Sequence, residues 1–301
     1  AFKKFPANIT IIGNKNAILS RAKQHKKNLI FTEKIRSHPG NGELKIIHLD
    51  YKNPVICGKL DKSNSLQQLK GLKKSIALCL TNKFDALITL PIHKKILTTE
   101  KSKFTGHTEY IADACKAKGN EVMLLASNQL NVALATTHIA LKNVPGQITK
   151  KKLCHTINTL HDELKSKFNI SQPKITVTGL NPHSGEDGEF GDEEIRIIKP
   201  AVDEMKGLGI SVNGPISADT AFTPKLISKT DCFLAMYHDQ GLSAFKALTF
   251  GKGINVTLGL PIIRTSVDHG TGLDIAGSTK IDPSSLFESI KLAINLVNNQ
   301  H

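Results

Sequence analysis

Short apolar runs of strand length alternate along this chain with longer segments whose apolar residues recur at helical spacing. NITIIG (8–13) reads as a strand, followed by a basic helix over about 15–27. SLQQLKGLKKSIALCLTNKF (65–84) has helical periodicity, and DALITLP (85–91) is the strand after it. EVMLLAS (121–127) and NVALATTH (131–138) are two more strands. A helix over about 149–168 precedes the strand KITVTGLN (174–181), and a helix near 193–208 precedes CFLAMYH (232–238). A last helix, 284–299, follows Asp282-Pro283, with serines placed to cap it. Such alternation argues for an α/β fold with a largely parallel sheet, whose ligands sit at the carboxyl ends of strands.

At 301 residues the chain is long for one simple domain and comfortable for two lobes. Its hydrophobic fraction of 40% is enough for a sizeable core, and with aromatics at 5% and no Trp that core must be aliphatic. No apolar run reaches the length of a membrane span, and AFKKFPANITIIG lacks the apolar segment of a signal peptide. Cys57, Cys79, Cys115, Cys154 and Cys232 are scattered and odd in number, as expected of reduced thiols in a cytoplasmic protein. The formal charge of +14 raises the question of nucleic acid. The lysines are spread over the whole chain, however, and no nucleic-acid-binding motif is present, so a lysine-rich surface that attracts small anions is the better reading.

Three histidines stand at or just past the ends of three separate strands: His138, His183 and His238. Three imidazoles suit zinc, cobalt or a similar divalent metal and leave a coordination position open. Any one of them alone would more simply be a hydrogen-bonded structural histidine. NPHSGEDGEFGDEE (181–194) offers glycines for close backbone approach to a ligand and a helix start that could attract an anion, or it is an ordinary polar loop. FTGHTEY (104–110) sets His107 and Thr108 in a turn, with Thr108 also a candidate helix cap. LPIHKK (90–95) sets Lys94 past a strand. Lys246, Asn255 and Arg264 together suit a phosphate monoester. DHGTGLDIAGS (268–278) can wrap a flat base with its backbone, and no GxGxxG fingerprint is present.

The motifs TGHTEY, ALATTH, GLNPHSGEDGEFG, AMYHDQGL and INVTLGLPIIRTSVDHGTGLDIAG, in this order, resemble the 4-hydroxythreonine-4-phosphate dehydrogenase family of vitamin B6 (pyridoxine) biosynthesis. The resemblance implies a two-lobed fold similar to isocitrate and isopropylmalate dehydrogenases, not a Rossmann fold. We expect 1–98 plus 257–301 to form a first, cofactor-side lobe and 99–256 a central lobe carrying the metal histidines and the dimer interface. It implies oxidation of the 3-hydroxyl of 4-phosphooxy-L-threonine by NAD or NADP, then decarboxylation to 3-amino-2-oxopropyl phosphate. It also implies a divalent metal (zinc, magnesium, cobalt or manganese) and a homodimer with the active site at the subunit interface. Matched by motif, His138, His183 and His238 would hold the metal, one chain supplying His138 and His183 and its partner His238. His107, Thr108, Lys246, Asn255 and Arg264 would contact substrate, and His269, Gly270, Thr271, Asp274 and Gly277 the cofactor. Lys94, Asp219 and Asp239 are the candidates for the proton acceptor. Family members open with a strand and a Gly/Pro-rich loop that this chain, starting at Ala1, does not display. That leaves an inactive relative, or a paralogue acting on another hydroxy acid or diol, as alternatives.

Overall fold

The computed structural model describes residues 1–33, 37–98, 104–249 and 252–300. Eleven strands form two sheets among these residues. The smaller sheet has the order β1-β3-β2, all parallel, from β1 (Thr10–Gly13), β2 (Ile30–Phe31) and β3 (Glu43–His48). The larger contains β4 (Ala86–Thr89), β5 (Val122–Ala126), β6 (Asn131–Leu134), β7 (Ile175–Thr178), β8 (Val212–Ile216), β9 (Cys232–Ala235), β10 (Ile254–Leu258) and β11 (Ile263–Val267). Its order is β4-β11-β10-β5-β6-β9-β7-β8. The β4–β11, β6–β9, β9–β7 and β7–β8 pairs are parallel, whereas β5 pairs antiparallel with β6 and β10, and β10 antiparallel with β11. The fold is thus α/β with a mixed sheet, most of whose pairings are parallel. The expected lobe boundary at 256/257 falls inside β10, and that at 98/99 adjoins residues outside the described set.

The central strands of the larger sheet are buried, mostly aliphatic runs, as helices on both faces require. VMLLA of β5, ITVT of β7 and CFLA of β9 have every residue buried. On one face the helix Lys150–Ser166 presents Leu153, Ile157, Leu160 and Leu164, spaced by three or four, to Leu124, Val177 and Leu234. On the other, the helix His238–Thr249 brings Leu242 and Phe245 against Leu125, Val132 and Phe233. It sits so close to the sheet that a Cβ at Gly241 would come within 2.8 Å of Val132 and 2.9 Å of Leu134. A third cluster joins the helix Ser65–Leu80 to Leu97, Ile111 and Ile262.

Two local expectations are corrected. Ser284 does not cap the last helix, Ser284–Asn298; the carboxylate of Asp282 accepts from the Ser284 amide (2.9 Å) and hydroxyl (2.6 Å) instead. The apolar stretch around INVTLGLPIIRT, read above only for its polar residues, is the β10–β11 hairpin. At its turn Gly259 has φ +73°, and a Cβ there would run into the Asn120 carbonyl, so only glycine fits.

Candidate functional site

Strand adjacency explains which histidines meet. β6, β9 and β7 lie side by side and parallel, so their carboxyl ends share one edge of the sheet. The Ala135 and Thr136 amides continue the β6 ladder onto the Ala235 and Met236 carbonyls before the chain turns out to His138. The His138 and His238 rings then lie 5.5 Å apart, centre to centre. His238 opens its helix, and its Nδ1 meets Asp239 Oδ1 at 2.6 Å, leaving Nε2 free to ligate. Burial, then Lys94 and His238, depress the His138 pKa, which favours the neutral imidazole a metal needs. A cavity of about 250 Å³ lies here, lined by Thr137, His138, Tyr237, His238 and Asp239 among others. Gln240 stitches the edge together: its amide donates to the Gly179 carbonyl (2.7 Å) and accepts from Thr178 and the Met236 amide (2.9 and 2.7 Å).

His183 is held apart from this pair. Beyond β7 the five residues His183 to Asp187 all have left-handed φ/ψ, four of them not glycine. Left-handed backbone costs roughly 1–2 kcal/mol per non-glycine residue and persists only where its surroundings over-determine it. Glu194 supplies that constraint. Buried at 3% exposure, it accepts from the Leu180 and Asn181 amides (2.6 and 2.8 Å) and from the Asn181 side chain (2.9 Å). The glycines of this loop are needed for packing against Glu194 and the loop itself: a Cβ at Gly185 would lie 2.7 Å from the Gly191 carbonyl and 2.9 Å from Glu194. The turn faces His183 toward Glu186 (3.3 Å) and into the field of Asp219, which also accepts the Ser217 hydroxyl (2.6 Å). Among the described residues no three His, Cys, Asp or Glu side chains come together with metal-ligand spacing. Within one chain His138 lies beside His238, whereas the expectation set His138 with His183. The histidine donors fit a divalent ion, but one chain offers two of them at one place.

The proposed substrate contacts divide likewise. On one face of the β4–β11–β10 sheet, the Arg264 guanidinium donates to Thr89 Oγ1 (2.8 and 3.2 Å), Thr257 Oγ1 (2.9 Å) and Asn255 Oδ1 (3.3 Å). It is 3% exposed, and no carboxylate among the described residues pairs with it. Burial lowers its pKa to about 10, so it stays charged at neutral pH. A buried cation with only neutral partners is costly and marks a place for an anion. His107 is next to it, its pKa pushed down to about 4 by burial and then by Arg264 and Lys94. His107 opens the helix His107–Ala114 behind Gly106, and no side chain caps that helix, so the expected Thr108 cap does not form. Lys246 instead faces Asp268 (3.7 Å), a carboxylate that also feels His238 and His269.

Glu109 is the site residue that sequence reading passed over. Its Oε2 would lie 2.5 Å from a Cβ at Gly106, with Lys94 Nζ 3.4 Å from the same point. The cofactor candidates His269, Gly270, Thr271, Asp274 and Gly277 form one loop. The Gln24 amide donates to the Gly277 carbonyl (2.9 Å), tying the loop to the helix Lys15–Gln24, and His269 Nδ1 meets the Gly270 carbonyl at 2.9 Å. Gly58 passes so near that a Cβ there would be 2.9 Å from the Leu273 carbonyl.

Comparison with known proteins gives one consistent answer. The model of the family "Pyridoxal phosphate biosynthetic protein PdxA" matches residues 6–293. A 4-hydroxythreonine-4-phosphate dehydrogenase of Chromobacterium violaceum is 44% identical over 97% of this chain and 89% of that protein. One from Acidithiobacillus ferrooxidans is 41% identical over 100% of this chain and 91% of that protein. The crystal structure of 4-hydroxythreonine-4-phosphate dehydrogenase from Klebsiella pneumoniae superposes with a TM-score of 0.87 at 31% identity, covering 97% of this chain and 89% of that one. A terephthalate 1,2-cis-dihydrodiol dehydrogenase from Burkholderia xenovorans shares the fold, with a TM-score of 0.63 at 20% identity over 95% and 98% of the two chains.

Proposed function

The chain belongs to the PdxA family and is an oxidoreductase of the 4-hydroxythreonine-4-phosphate dehydrogenase kind, and from that premise we propose how its residues divide the work. Arg264 and Asn255 hold the substrate phosphate, and the observation that carries this reading is the buried guanidinium without a counter-ion. His107, neutral at working pH, adds a hydrogen bond there without adding charge. Lys246 and Thr108 complete the substrate contacts from the rim.

His138 and His238 of one subunit and His183 of the partner subunit hold a divalent metal. When bound, such an ion polarises the substrate hydroxyl and carboxylate oxygens and stabilises negative charge that develops on them. Zinc, cobalt, magnesium and manganese are the candidates. A homodimer follows from this arrangement, and the exposed apolar side chains Ile139, Leu141, Phe190 and Ile195 near the histidines support it. The loop with His269, Gly270, Thr271, Asp274 and Gly277 would hold NAD or NADP, which would supply the hydride acceptor for oxidation at C3 of the substrate. The resulting β-keto acid loses carbon dioxide to give 3-amino-2-oxopropyl phosphate.

Asp239, hydrogen-bonded to His238, orients that imidazole, which leaves Lys94 and Asp219 as acceptors of the hydroxyl proton. The two lobes, 1–98 with 257–301 and 99–256, would flank the site. Among the described residues no helix is long and apolar enough to cross a membrane. We place the enzyme in the cytoplasm, where its five free thiols would stay reduced. The test is reduction of NAD by 4-hydroxythreonine-4-phosphate with and without a chelator. Turnover should stop on exhaustive metal removal and return with added zinc, cobalt, magnesium or manganese. Full activity of protein shown by elemental analysis to be metal-free would overturn the metal assignment.

A further inference from the structure

The substrate named for this family carries two anionic groups, a phosphate and a carboxylate, and one cationic group, the α-ammonium. The cation held ready for one of its anions is Arg264, buried and bonded only to neutral side chains. A group for the ammonium has to be a carboxylate or a set of carbonyls, and most carboxylates near the site are engaged. Asp239 is bonded to His238 (2.6 Å), Asp268 faces Lys246 (3.7 Å), Asp219 takes the Ser217 hydroxyl (2.6 Å), and Glu186 meets His183 (3.3 Å).

Glu109 differs from all of these. Half-buried on the first turn of the helix His107–Ala114, it takes no hydrogen bond and no ion pair from any described residue. Its charge is felt in both parts of the site, favouring the protonated forms of His138 and Arg264, and it lies on the same side of Gly106 as Lys94 Nζ. Gly106 keeps it there: any side chain at 106 would strike the Glu109 carboxylate and press on Lys94 Nζ. Lys94 remains beyond ion-pair distance from it. A carboxylate in a site that must bind two anions repels them, and that cost is offset only by a ligand that brings its own cation.

We infer that Glu109 binds the α-ammonium of the substrate and selects a phosphorylated amino acid over the hydroxy acid of the same length. This rests on the reading of Arg264 and Asn255 as the phosphate end. The pairing is a charge-assisted hydrogen bond in a partly dehydrated cleft, where loss of one partner is felt strongly. It makes Glu109 a determinant of specificity and gives it no proton to move in the reaction.

The experiment compares wild-type enzyme with Glu109→Gln and Glu109→Asp on two substrates, 4-hydroxythreonine-4-phosphate and 2,3-dihydroxy-4-phosphooxybutanoate, which has a hydroxyl in place of the ammonium. Wild type should favour the amino substrate. In Glu109→Gln, kcat/KM for the amino substrate should fall about 10- to 100-fold, mostly through KM, while that for the hydroxy acid holds or rises. Glu109→Asp, which keeps the charge one methylene further back, should fall between the two. Stabilisation by inorganic phosphate, read as a shift in melting temperature, should be equal or larger in Glu109→Gln, which shows that the fold and the Arg264 end are intact. Equal loss on both substrates, or no loss on the amino substrate, overturns the inference. A wild-type enzyme that oxidises neither compound overturns the functional reading itself, a distinct result.

Discussion

The charge of Arg264 reaches His107, and the two side chains answer burial differently. The guanidinium keeps its charge, with a pKa still about 10, whereas the imidazole is driven to about 4 and stays neutral. A buried charge held by three neutral side chains costs stability that function requires. Arg264→Met should therefore leave the melting temperature of the ligand-free protein unchanged or raised. It should weaken binding of the phosphorylated substrate by about 2–5 kcal/mol and leave NAD binding alone. A large drop in melting temperature would make Arg264 a structural residue. For His107 the sign follows from its depressed pKa. The unfolded chain takes up the proton near the ordinary value of 6.5 and the folded chain only near 4. The contribution is fully present above pH 6.5 and is lost as pH falls toward 4, by at most about 3 kcal/mol. Denaturant melts at pH 7 and pH 4.5 should show a smaller acid loss for His107→Asn than for wild type; parallel losses would contradict the assignment.

At the scale of elements, the left-handed turn after β7 stores strain that Glu194 offsets through three hydrogen bonds. Glu194→Gln exchanges an acceptor facing the Asn181 amide for a donor, which should cost about 1–3 kcal/mol of stability. Because the turn presents His183, cobalt affinity, read from the visible absorbance of the bound ion, should also drop about 10- to 100-fold. Glu163→Gln breaks the buried Lys167–Glu163 pair (2.6 Å) away from the histidines and serves as the control. It should lower stability without changing cobalt binding, and similar cobalt losses in both variants would remove Glu194's positioning role. These elements were unequally legible in sequence. The buried strands and the long helices stood out, because an unbroken aliphatic run and a 3.6-residue period are local patterns. The β10–β11 hairpin did not, since its turn at Gly259 is chosen by a contact with Asn120, far away in sequence.

For the whole molecule, the pairing of His138 with His238 in one chain predicts which inactive variants rescue each other. With His183 contributed by the partner subunit, mixing His138→Ala with His183→Ala should restore up to about a quarter of the sites. Half of the re-associated dimers are mixed, and each of these holds one intact site in a two-fold assembly. Mixing His138→Ala with His238→Ala should restore none. The reverse outcome would return the split expected from sequence, and no rescue in either mixture, after size measurements prove exchange, would confine the metal to one subunit.

Strands β1, β4, β5, β6, β7 and β9, the long helices and the candidate groups at the strand ends were legible in the sequence itself. Strand runs, helical periods and the groups that follow strand ends are properties of neighbouring residues. The adjacency of β6 to β9, which sets His138 beside His238, was decided only in three dimensions. So was the burial that silences His107 and leaves Arg264 charged without a counter-ion, because burial depends on what the rest of the chain brings to a residue. The carboxylate of Glu109 belongs with them: a glutamate in the first turn of a helix looks like ordinary helix chemistry until the fold shows that no described side chain bonds to it.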